Sequence, residues 1–165
     1  MTDFHLRHCG ECHVCCVDLR IDDKPAGERC PELVDWGCRH YDKRPAVCRG
    51  YQCIWRVVGD DVLDDGQRPD KIGVVFTAML ASQLDYEFPG GDCLLIVARP
   101  CAGRVNVCDN WPAVETMWNL RMAGLRVHIS EPGLDWRGPV IDDPLRRPTE
   151  ALALRLQEAL QDRKP

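Results

Sequence analysis

Cys93-Leu94-Leu95-Ile96-Val97-Ala98 is apolar at every position. A short apolar run with no polar face, bounded by turn residues, reads as a strand buried on both sides and central in its sheet. Upstream, Ile72-Gly73-Val74-Val75-Phe76-Thr77-Ala78-Met79 is rich in β-branched and aromatic residues and reads as a second strand. Pro89-Gly90-Gly91-Asp92 supplies a turn between them. Downstream, the chain turns over Pro100 to Arg104, and Val105-Asn106-Val107 reads as a short strand. A helix then opens at Pro112 and carries Val114, Met117, Trp118, Leu120, Met122 and Leu125 at helical spacing, with Gly124 as its stop. Arg126-Val127-His128-Ile129-Ser130 alternates polar and apolar like a half-buried strand. After an irregular, Pro- and Gly-rich stretch over 131–148, Thr149 caps a last helix with Glu150 in its first turn and a stripe of Leu152, Leu154, Leu156 and Leu160. The expected fold class is therefore α+β: a small mixed sheet with two to three helices, on which an N-terminal cysteine-rich module packs.

The 165 residues suffice for one domain with a real hydrophobic core. A formal net charge of -5 argues against nucleic acid or an anionic membrane as a partner. No apolar run approaches the roughly 18 residues that span a bilayer, and the first nine residues lack a signal-peptide core. The expected location is the cytoplasm.

Cysteine is the outlier. Eight of the 11 cysteines fall between positions 9 and 53. The total is odd and the expected compartment is reducing, so metal binding is the better reading over a disulfide scaffold. Residues 1–58 hold much turn chemistry and few apolar runs, so this module needs cross-links or docking to be stable. Residues 59–70 form an acidic connecting loop, and 71–165 the α+β region, expected to be one compact unit with the first. The aspartates Asp60, Asp61, Asp64 and Asp65 do not fit a calcium loop, because no Glu closes one at the twelfth position.

Cys9-Gly10-Glu11-Cys12-His13-Val14-Cys15-Cys16 is a C-x2-C-x2-C-C motif. Two intervening residues let a loop turn both thiolates to one metal at about 2.3 Å, and three thiolates at this spacing also open the grip of ferredoxins on an iron–sulfur cluster. Ferredoxins place a proline after their last cysteine, where this chain has Val17. Zinc and an iron–sulfur cluster both stay open. Adjacent side chains point apart, so Cys15 and Cys16 are not expected to share one mononuclear ion, and one of them is expected either to serve a second centre or to pack in the core. Further ligands are expected from Cys30, Cys38, Cys48 and Cys53, and eight thiolates would fill two four-ligand sites. Their charge of about -8, against +4 for two zinc ions, calls for neighbouring cations such as Arg39, Arg44 and Arg49.

The C-x2-C-x2-C-C start, the single cysteines after it and the closing Arg44-Pro45-Ala46-Val47-Cys48-Arg49-Gly50-Tyr51-Gln52-Cys53 resemble the YkgJ-type cysteine-cluster proteins, described as a zinc- or iron-chelating domain. The resemblance covers about residues 9 to 55, a third of the chain. It implies Cys9, Cys12, Cys15, Cys16, Cys30, Cys38, Cys48 and Cys53 as metal ligands. The expected function is a non-catalytic metal-cluster protein, in metal handling or as a module that binds a protein partner. One larger branch, the flagellin lysine methylases, pairs a similar cluster with methyl transfer from S-adenosylmethionine. This makes an iron–sulfur enzyme the alternative, although no G-x-G-x-x-G loop follows a strand here. His5, His8, His13 and His40 lie near the cysteines, and each could replace a thiolate as ligand, but the better reading for any one of them is a solvated histidine or one that hydrogen-bonds a ligand. His128 is expected to pack or face water. Cys93, Cys101 and Cys108 are expected in the core, as are Trp36, Trp55, Trp111, Trp118 and Trp136.

Overall fold

The computed structural model describes residues 7–35, 37–51, 53–84, 93–101, 107–130, 140–141 and 147–161. The expected turn at Pro89–Asp92, most of the 131–148 crossing, residues 105–106 of the short strand, His5, Trp36 and Trp136 lie outside these.

The cysteine-rich segment is built from single turns and one short hairpin: α1 (Val14–Asp18), β1 (Leu33–Val34), β2 (Gly37–Cys38) and α2 (Ala46–Gly50). Lys24 holds the loop after α1 by donating to three carbonyls, those of Val17, Pro25 and Glu28, at 2.7–3.1 Å. Leu33 is its one buried apolar side chain among the described residues before Cys53. The character changes at α3 (Ile54–Val58), every residue of which is buried. Trp55 donates its indole N–H to the Asp64 carbonyl at 2.8 Å.

The 59–70 stretch is a structured turn as well as an acidic one. Leu63 is wholly buried. Asp64 accepts from the Gln67 backbone N–H while the Gln67 side chain accepts from the Asp64 N–H, a reciprocal cap on a 3-10 turn. Pro69 then opens α4 (Pro69–Ile72). Gly73, at φ 67°, ends it in the left-handed region, where a side chain would be strained.

The main sheet runs in the order β3 (Val74–Leu80), β4 (Leu94–Pro100), β5 (Val127–Ile129), β6 (Val140–Ile141). β3 and β4 are antiparallel, β4 and β5 parallel, β5 and β6 antiparallel, so the sheet is mixed and the fold α+β. β4 lies between two partners, as its unbroken apolar run requires. A parallel pair needs a crossover, and α5 (Trp111–Met122) supplies it. Asn110 caps α5, accepting from the Ala113 N–H and donating to the Ile72 carbonyl at 2.5 Å. α6 (Glu150–Gln161) starts at Thr149, whose hydroxyl accepts from the Leu152 N–H. It packs on α3, and Arg155 donates to the Val58 carbonyl and pairs with Asp61 at 3.0 Å.

The core joins Ile54, Val57, Val58, Leu63, Phe76, Ile96, Ala98, Leu120, Val127 and Leu156. Leu95, Val97 and Ala81 form a smaller cluster with Met79 and Cys93 at its rim.

Several expectations change. β5 is buried at all three residues rather than half-buried: Val127 and Ile129 belong to the main core, and His128 pairs in register with Val97 of the second apolar cluster, so both faces are covered. Its His128 is accordingly inside, at 1% exposure. Leu154 is 49% exposed, and Ala159 replaces it in the buried stripe of α6. Trp55 is buried, but Trp111 and Trp118 are exposed on the outer face of α5. Cys108 is exposed rather than in the core. Val107 belongs to a 3-10 turn.

Candidate metal centre

The eight N-terminal cysteines arrive from separate local structures. The Cys12 N–H donates to the Cys9 carbonyl at 2.9 Å, closing the first turn. Cys15 and Cys16 lie on α1, with His13 at its N-cap. The Cys30 N–H donates to the Cys16 carbonyl at 3.0 Å, and the Leu33 N–H to the Cys30 carbonyl at 3.0 Å. Leu33 pairs across the hairpin with Cys38. Cys48 is on α2, and its N–H donates to the Pro45 carbonyl at 3.0 Å. Cys53 precedes α3 and bridges antiparallel to Thr77 of β3.

Together they wall one cavity of about 800 Å³, which is lined by all eight. Its far side is the sheet, where Thr77 and Met79 of β3 and Arg99 of β4 contribute. The Tyr51 hydroxyl is 2.7 Å from Thr77 Oγ1, and Arg99 Nη2 is 3.3 Å from Met79 Sδ. None of the 11 cysteines is in a disulfide. Cys93 and Cys101 lie at the rims of the two apolar clusters, and neither they nor Cys108 line the cavity. Among the described residues, no three His, Cys, Asp or Glu side chains stand in ligating geometry around a single point.

A two-way clamp places the start of the segment. The Arg7 N–H donates to the Arg56 carbonyl at 3.3 Å, and Arg56 Nε donates to the Arg7 carbonyl at 2.6 Å. The Arg7 guanidinium also lies over the Trp55 ring, donates to the Leu63 carbonyl and pairs with Asp60 at 3.1 Å. Residues 7–9 are thereby held against the α3 end of the core.

Burial pushes the thiols up. It is the leading cause at Cys12 and Cys16, each raised to about 11, and at Cys53, raised to about 12. Cys15 lies well above the ordinary thiol range, first through burial and then through the neighbouring Cys53 and Cys12. Cys48 is raised by burial and then by Cys30, with Arg44 opposing. Thiols of this kind are neutral at pH 7 without metal, and a cation would have to displace their protons. Asp70 beside Cys12 is pushed up by burial, but its two-point pairing with Arg68, at 2.7 and 3.0 Å, prevails and holds it below the usual carboxylate range.

Of the three arginines expected to offset the thiolates, Arg44 lines the cavity, stacked 3.8 Å over the Tyr41 ring. Arg39 and Arg49 do not line it. Arg20, Lys43, Arg56 and Arg99 do, and the sequence did not single them out. Arg56 follows Cys53 by three residues and Arg99 ends an apolar strand, which are weak signals. His8, His13 and His40 also line the cavity. His40 pairs with Glu32 at 3.2 Å. The His13 Nε2 is buried with no hydrogen-bond partner among the described residues. Sulfur and imidazole donors suit zinc or iron–sulfur centres and not magnesium or calcium.

Comparison with protein-family models, with curated proteins and with solved structures finds no match to this chain. Among the described residues, no helix is long and apolar enough to cross a membrane.

Proposed function

We propose that this is a metal-binding protein that holds zinc or an iron–sulfur cluster through Cys9, Cys12, Cys15, Cys16, Cys30, Cys38, Cys48 and Cys53. One observation carries the reading: cysteines from six separate local structures, spread over 45 positions of the chain, all line a single cavity while the other three cysteines do not. Hydrophobic packing alone gives no reason for such sorting. The resemblance to YkgJ-type proteins supports the same eight ligands, and the cationic lining offsets thiolate charge. Thiols in place of disulfides suit a reducing cytoplasm.

A second reading is favoured by the cavity's size. About 800 Å³ is in the range of small-molecule pockets, and Arg99, Met79 and Gln83 extend the lining beyond the cysteines. An iron–sulfur enzyme with its substrate beside the cluster, such as an S-adenosylmethionine-dependent protein methyltransferase, would use that space.

The test is metal analysis of untagged protein purified without oxygen. Stoichiometric zinc in colourless protein supports the first reading with zinc. Brown protein with broad visible absorption, iron and acid-labile sulfide supports a cluster. Protein with neither metal at a stoichiometric level would overturn metal binding.

A further inference from the structure

Cys15 and Cys16 are neighbours on α1. On an α-helix, consecutive side chains diverge by about 100°, so the two thiols address different parts of the cavity wall. Cys15 packs against the core cluster that contains Cys53. The arginine clamp between residues 7 and 56 brings Cys9 to the same end, since the Arg56 N–H donates to the Cys53 carbonyl at 3.1 Å. The Cys9–Cys12 turn keeps Cys12 with it. Cys16 goes elsewhere. Its carbonyl receives the Cys30 N–H, and the Cys30 carbonyl receives the N–H of Leu33, the hairpin partner of Cys38. Cys48 is within electrostatic range of Cys30 and Cys38.

We propose that the eight cysteines divide at the Cys15–Cys16 peptide into two four-thiolate centres, an inner one of Cys9, Cys12, Cys15 and Cys53 and an outer one of Cys16, Cys30, Cys38 and Cys48, of which only the outer exchanges its metal readily. This rests on the metal-binding reading above. The difference in exchange follows from anchorage. The inner set ends in Cys53, 4% exposed and continuous with the fully buried α3. The outer set sits on α1, α2 and the β1–β2 hairpin, where Leu33 is the one buried side chain among the described residues. Segments with so little buried apolar contact open locally at low free energy, and each opening frees a ligand. The class of ligand is a thiophilic ion in each centre, or a cluster in each.

Metal content of the purified full chain and release of zinc from zinc-loaded protein to a chelator test both parts. Wild type should release zinc in two phases of equal amplitude. Cys38→Ser should halve the metal content and abolish the fast phase. Cys38→Ser with Cys48→Ser should lose no more than Cys38→Ser alone, whereas Cys38→Ser with Cys12→Ser should lose all. If the Cys12 variant does not fold, the comparison within the outer set still decides. A single release phase in wild type, or complete metal loss from Cys38→Ser alone, overturns the division and leaves metal binding standing. Wild-type protein without stoichiometric metal overturns the metal reading, and the division falls with it.

Discussion

At the scale of single residues, chemically identical thiols have different neighbours. Cys12 is in a tight turn beside Asp70 and lines the cavity, whereas Cys93 lies at the rim of the Leu95–Val97 cluster. Cys12→Ala should therefore lower the metal content, because it removes a ligand and unbalances the charge of those left. Cys93→Ala should leave metal content unchanged and cost about 1 kcal/mol or less, by analogy with other small truncations. Elemental analysis and urea titration of the two variants check this. Equal metal loss from both would redraw the site to include the sheet. That the eight cysteines of residues 9–53 gather in one place was legible at this scale, because cysteine density has few other uses in a chain expected in a reducing compartment. The cationic lining was not. Arg56 and Arg99 reach the cavity only through tertiary packing, which puts residues 43 positions apart on one wall.

At the scale of elements, α3 joins the two halves. Its five residues are all buried, and it follows Cys53 without a break. Ile54→Ala should cost about 2–5 kcal/mol, the range for large-to-small core truncation. It should also lower metal content, because Cys53 loses its support. A variant destabilised to that extent but still fully metal-loaded would show that Cys53 is positioned independently of the core. α3 was hidden in the sequence because five residues are too few to show a helical period. β6 was hidden for a similar reason, being two residues among prolines and glycines. β3 and β4 were legible because β-branched, apolar runs of that length have few other solutions. The tryptophans misled because aromatic size suggests burial, whereas Trp111 and Trp118 fall on the polar side of α5, opposite Ala113, Met117 and Leu120.

At the scale of the molecule, stability divides between a packed core and a segment that has little core of its own. Chelation should raise hydrogen exchange across residues 9–53, while the sheet keeps its protection. Unchanged protection of that segment in verified metal-free protein would contradict this. The pH response follows from the raised thiols. In the metal-free protein the folded values, about 11 at Cys12 and Cys16, exceed the unfolded value of about 8.5. Above that unfolded value the unfolded chain binds fewer protons than the folded one, so stability should fall as pH rises through the interval between the two. Metal-bound protein, its thiolates already ionised, should lack that fall and instead lose metal on acidification. Urea midpoints across alkaline pH, with and without metal, check both. A further consequence comes from the Cys53–Thr77 bridge. β3 ends the row of strands, and an end strand with bare backbone groups is a template on which another chain can add. The bridge occupies the middle of that border. A chain stripped of metal, with the segment up to Cys53 loosened, would present its border to its own copies. Self-association that grows with protein concentration would then set in well before the core unfolds.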